Sequence, residues 1–160
     1  MESIEIRVDV GASHDSCAAC NLEERKFLPE THFENELINE ETVDEILRIW
    51  SKTIADCIKK AKHFKVNGIG FAMPVPFDYV KGIPLFKSEN RKYKNIYGLN
   101  IPKLLRKLLY IDNNFTIRFI NDATAFAIGE DWIGKAAGMN CSLSYYSRNR
   151  FWFCKPDTCC

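Results

Sequence analysis

The sequence predicts one α/β domain over residues 1–138, a mixed sheet with helices. Three observations carry that expectation. Ile4, Ile6, Val8 and Val10 alternate with Glu5, Arg7 and Asp9, the period of a strand with one buried face. Residues 41–62 repeat apolar side chains at intervals of three and four, the mark of an amphipathic helix. From there to residue 138, strand-like and helix-like stretches alternate, the element order of an α/β architecture.

In chain order, the first strand ends at Gly11 and a turn, GASHDS, follows. His14, single and without a partner nearby in sequence, reads as a turn residue. A second strand over 15–21, a turn over 22–25 and a third strand around 26–28 make an antiparallel meander. Residues 30–40 are polar and acidic, a surface linker. The helix over 41–62 presents Val43, Ile46, Leu47, Trp50, Ile54, Cys57, Ile58 and Ala61 on one face, so Trp50 belongs to the core. A buried strand over 66–73 stops at Pro74. Residues 78–100 are irregular, and a loop of that length in a compact domain is usually functional or disordered. Asn100 caps a helix running to Tyr110, with Pro102 in its first turn and Leu104, Leu105, Leu108 and Leu109 as the buried stripe. The last strand, 115–120, delivers Asn121 and Asp122 to its carboxyl end, just before an Ala-rich helical stretch. Open α/β sheets bind ligands at that end of their strands. An Asp there also makes a good helix N-cap.

Lys and Arg number 22 against 21 Asp and Glu, for a formal charge of +1. With no basic run, nothing points to nucleic acid. No apolar run approaches the roughly 20 residues of a membrane span. The N-terminus lacks the basic-then-apolar order of a signal peptide, so a cytoplasmic location is expected. Of the 7 cysteines, only Cys17, Cys20 and Cys57 precede residue 141, which suits buried thiols in a reducing compartment. Cys17 and Cys20 have metal-site spacing, but residues three apart on a strand point to opposite faces, so no metal site is expected.

The stretch NDATAFAIGEDWIGKAAG resembles the signature of the ROK family of bacterial sugar kinases and sugar-responsive repressors. Asn121, Asp122, Ala123, Ala127, Gly129, Glu130, Gly134 and Gly138 are in register with it, and Thr124 stands where the family commonly has Asn. Similarly, Asp9-Val10-Gly11-Ala12-Ser13 resembles the first phosphate loop of the sugar kinase, Hsp70 and actin superfamily, with Ala12 in place of a second Gly. Pro74-Val75-Pro76-Phe77 resembles a family loop in which Val75 replaces Gly. The resemblance implies a ribonuclease-H-like half of the kinase fold, with Asp122 as catalytic base. It further implies Asn121 and Asn90 on the sugar, and Asp9, Gly11 and Ser13 on phosphate. ATP and Mg²⁺ are the cofactors it implies for an intact enzyme, and a small-molecule sugar the partner, often within a homo-oligomer.

Family members are much longer, and the second phosphate loop, zinc-binding cysteines and adenosine pocket of their second half are not readable here. The expected function is therefore the N-terminal part of a ROK-type kinase that moves the γ-phosphoryl of ATP to a hexose hydroxyl, inactive without the missing C-terminal half. The alternatives are a sugar-sensing regulator and a non-catalytic sugar-binding module. A regulator adds a helix-turn-helix, whereas here a strand begins at Ile4. Residues 139–160 read as a non-native or disordered tail produced by a frameshift. If residues 148–154, RNRFWFC, are encoded CGG AAC CGG TTT TGG TTC TGC, a start one base later gives Gly-Thr-Gly-Phe-Gly-Ser, the glycine pattern of the family's second phosphate loop.

Overall fold

The computed structural model describes residues 2–11, 14–36, 42–87, 93–134, 137, 141–146 and 149–154. The meander expected at the N-terminus is β1 (Ser3–Val10), β2 (His14–Asn21) and β3 (Lys26–Glu36). Helix α1 (Val43–Lys60), strand β4 (Lys65–Met73), short strands β5 (Phe77–Asp78) and β6 (Ile83–Pro84), and a 3₁₀ turn at Lys94–Ile96 follow. Helix α2 (Ile101–Leu109), strand β7 (Thr116–Asn121) and helix α3 (Asp122–Trp132) come next. Among the described residues the main sheet has five strands in the order β3-β2-β1-β4-β7. The first three are antiparallel, while β4 joins β1, and β7 joins β4, in parallel. This is the predicted mixed sheet.

Helix α1 forms because its sequence starts it and gives it a core face. Thr42 accepts from the Glu45 amide while Glu45 reaches back to the Thr42 amide, a capping box that satisfies two orphan donors. Ile46, Leu47, Trp50, Ile54 and Cys57 are buried in one cluster with Ile4, Ile6, Val8, Val10, Ile69, Phe71 and Met73. Each large apolar side chain so buried contributes about 1.5–3 kcal/mol. Helix α2 is capped by Asn100, which accepts from the Lys103 amide at 3.0 Å. Its Ile101 and Leu105 are fully buried, but Leu108 is exposed. The expected leucine stripe is one residue too wide, since this nine-residue helix, packed against α1, buries a narrower face. Gly82 has φ +69°, and a Cβ there would lie 2.6 Å from Pro102 and 2.7 Å from Phe119. Only glycine fits where the β5–β6 segment crosses α2 and β7.

Two expectations are corrected. The third strand does not stop at residue 28 but runs to Glu36, replacing much of the supposed linker. Its pairing with β2 jumps from Cys17↔Phe33 to Ala19↔Leu28, so residues 29–32 bulge out of the ladder. Thr31 repairs the gap by accepting from the Ala19 amide at 2.8 Å and donating to the Leu28 carbonyl at 2.6 Å. An edge strand tolerates such a bulge and its Pro29, and the bulge hides the period from a sequence reading. Residues 78–100 are also more ordered than an irregular loop, because Phe86, Tyr93 and Ile96 are fully buried in the core; residues 88–92 lie outside the described set.

Helix α3 lies against β4 and β7 with Ala123 and Ala127 buried outside the main core cluster. Beyond it, β8 (Cys141–Tyr146) and β9 (Asn149–Cys154) pair antiparallel in a separate sheet. This hairpin falls within residues 139–160, the stretch expected to be a non-native or disordered tail, and does not join the main sheet. No helix among the described residues is long and apolar enough to cross a membrane.

Candidate active site

Parallel pairing puts the carboxyl ends of β1, β4 and β7 on one edge. Asp9 is opposite Ala72, Ala72 is opposite Ile120, and Met73 is opposite Asn121. Two strand spacings, about 10 Å, therefore separate the end of β1 from that of β7. Residues far apart in sequence share this edge: Asp9 near the end of β1, Gly11 just beyond it, and Asn121 and Asp122 at the β7–α3 junction.

At that junction the cap is Asn121, not Asp122. Asn121 Oδ1 accepts from the Thr124 amide at 3.1 Å and faces the Thr124 hydroxyl at 3.3 Å. Thr124, the departure from the family pattern, thus adds a second donor to the cap. Relieved of capping, Asp122 opens the helix, where a negative charge is favoured. Its Oδ1 accepts from the Ala123 amide at 2.8 Å and from Asn121 Nδ2 at 3.0 Å. Burial pushes the carboxyl above its ordinary range, and the nearby charge of Asp9 pushes the same way against the Ala123 and Asn121 donors. A carboxylate made more basic by its surroundings is a better proton acceptor.

Asp9 pairs with Arg7 at 3.1 Å. The Gly11 amide donates to the His14 carbonyl at 3.0 Å, and a Cβ on Gly11 would lie 2.7 Å from that oxygen. The turn after β1 therefore requires glycine. Its carbonyl is held from the other side: Tyr93 donates to Gly11 O at 2.9 Å and lies 3.2 Å from Asp15 Oδ1, while Trp50 Nε1 donates to Asp15 Oδ2 at 2.6 Å. Trp50 is core, as its spacing implied, but it also carries this polar duty. His14 opens β2 rather than sitting in the turn, 3.6 Å from Glu36. Ser13 and Asn90, and the Ala12 departure, lie outside the described residues. Val75 is largely exposed.

Tyr79 was missed in the sequence. Its hydroxyl donates to the Met73 carbonyl at 3.0 Å and accepts from Asn121 Nδ2 at 3.2 Å, and burial raises its pKa. Nothing in a lone tyrosine five residues past a proline announces such a contact.

Cys17, Cys20 and Cys57 are free thiols. Cys17 faces the core cluster and Cys20 the opposite side of the sheet. A hydrogen bond between the buried Cys17 and Cys57 thiols pushes the pKa of Cys17 up and that of Cys57 down, and burial pushes Cys20 up to about 11. No group of three or more His, Cys, Asp or Glu among the described residues could hold a metal ion. A groove of about 390 Å³ lined by Arg7, Ser16, Phe27, Pro29 and His32 lies beside the β3 bulge and contains none of the site residues.

No protein-family model and no curated protein matches the sequence. Solved structures do match. A ROK hexokinase from Thermus thermophilus superposes with a TM-score of 0.69 at 17% identity, over 88% of this chain and 42% of that one. A ROK family glucokinase from Streptomyces griseus, in complex with glucose and AMPPNP, gives 0.68 at 18% identity, over 88% and 40%. The fold is that of the ROK sugar kinases. A ROK family transcriptional regulator, a homologue of the E. coli MLC protein, shares it with a TM-score of 0.66 at 17% identity, over 89% of this chain and 34% of that one. The ROK fold is the actin- and Hsp70-like fold expected from the sequence. This chain spans less than half the length of each of these structures.

Proposed function

We propose that this chain is the sugar-side part of a ROK-type sugar kinase in which Asp122 is the catalytic base. The observation that carries the reading is the Asp122 carboxylate, half-buried, raised in pKa and held by one oxygen at the carboxyl edge of the parallel strands. As a hexose oxygen forms its bond to the γ-phosphorus, the bond from phosphorus to ADP breaks and the hydroxyl proton passes to Asp122. Asp9 and the Gly11 turn fit a phosphate end of the site. Without a Cβ, Gly11 lets a ligand approach the turn closely although its own amide and carbonyl are bonded within the protein, and the strand-end carboxylate of Asp9, shared with Arg7, suits Mg²⁺ that arrives with nucleotide phosphates. ATP with Mg²⁺ supplies the phosphoryl group when bound. Ser13 and Asn90 belong to the proposed phosphate and sugar sites respectively. Asn121 has its oxygen and both amide hydrogens engaged within the protein, which shifts its part from holding sugar toward holding Asp122.

Positioning both substrates in line supplies much of the rate of such a reaction. The proposal therefore includes no turnover by this chain alone and a second half as partner, in a cytoplasmic, often oligomeric enzyme. A regulator shares the fold; the carboxylate poised as a base favours the kinase. A coupled assay with ATP and hexoses on the purified chain tests the half-enzyme reading. We expect no turnover above background, and turnover abolished by Asp122→Asn would overturn it.

A further inference from the structure

We propose that Tyr79 is a positioning residue for the Asp122 carboxylate, acting through the Asn121 carboxamide; this rests on the reading of Asp122 as the base. Donor and acceptor accounting fixes the chain of contacts. The Thr124 amide can only donate, so the atom it meets at 3.1 Å is the Asn121 oxygen. Asn121 Nδ2 must then face the other way, toward Tyr79 Oη at 3.2 Å and Asp122 Oδ1 at 3.0 Å. Tyr79 spends its own proton on the Met73 carbonyl at 3.0 Å, which leaves a lone pair for the amide. Each donor meets an acceptor.

The arrangement ties together the last residues of adjacent strands, because Met73 and Asn121 are register partners. The phenol is itself fixed by an aromatic row. Its ring lies 5.2 Å from Phe77, which packs 5.2 Å from Phe119 and 6.4 Å from Phe86. Asp122 Oδ1 is thereby held by two donors from neighbouring residues. The titratable groups that act on Asp122 are Asp9 from β1 and Tyr79 itself.

The test is a carbon-13 titration of the Asp122 carboxyl in the full chain, in wild type, Tyr79→Phe, Asn121→Ser and the double variant. Phenylalanine keeps the ring in its row, and serine keeps the helix cap while removing Nδ2. Each single change should raise the Asp122 pKa by about half to one unit, because the carboxylate loses a held donor. The double variant should shift no further than the larger single one, since both act through one chain of contacts. A merely structural Tyr79 would lower Tm and leave the titration in place. That result, a downward shift, or shifts that add in the double variant would overturn the proposal. The titration reads the linkage whether or not Asp122 accepts a substrate proton. Loss of the base role would show instead in kcat of an Asp122→Asn enzyme, so the two readings fail separately.

Discussion

Trp50→Phe should destabilise the protein by more than a loss of ring size. Trp50 is 1% exposed, packs 6.0 Å from Phe71 and 6.2 Å from Tyr93, and donates to the buried Asp15 at 2.6 Å. Phenylalanine retains most of the packing but no donor. Leaving a buried carboxyl oxygen short of a partner costs about 1–3 kcal/mol, and the smaller ring adds about 1 kcal/mol through imperfect collapse. The sum, about 2–4 kcal/mol, is a large part of the 5–15 kcal/mol typical of a domain. At about 2–4 °C per kcal/mol for a chain of this size, Tm should fall by roughly 5–15 °C. Urea unfolding followed by circular dichroism measures it, with an unchanged slope as evidence that only stability moved. A loss under about 1 kcal/mol would refute the claim that Trp50, Asp15 and Tyr93 brace the Gly11 turn from within the core.

Two further predictions concern Asp122 and the tail. Because the folded state raises the Asp122 pKa, native protein binds more protons than unfolded between the ordinary and the raised value, so stability falls as pH rises through that window. Asp122→Asn removes the penalty, and the Tm advantage of the variant should grow from about pH 4 to neutral; an advantage that shrinks instead would contradict it. We also propose that residues from about Met139 onward are read out of frame. Sequencing the gene should show Gly-Thr-Gly in the shifted frame across residues 148–150, followed by a kinase-like second half, and any other reading disposes of the idea.

Elements whose physics is local were legible in the sequence. Thr42, Glu45 and the apolar repeat define α1, Asn100 and Pro102 start α2, and the alternation of β1 marks its buried face. What escaped depends on distant partners. The bulge at residues 29–32 is stabilised by Thr31 meeting an amide on another strand, so the polar run looked like a linker. The buried Phe86, Tyr93 and Ile96 have no period to betray them. At the candidate site, the Asn-Asp pair and its strand end were readable. Which of the two caps the helix was not, because both residue types cap well and the choice is made by Thr124 and Tyr79 in three dimensions.

The account turns on Asp122 as a base, and the most direct measurement is the kcat of ATP-dependent hexose phosphorylation after this segment is joined to a matching second half. Asp122→Asn keeps the shape and removes the proton acceptor. It should lower kcat by roughly 10²-fold or more while sugar binding persists. An unchanged kcat would reduce Asp122 to the first residue of a helix.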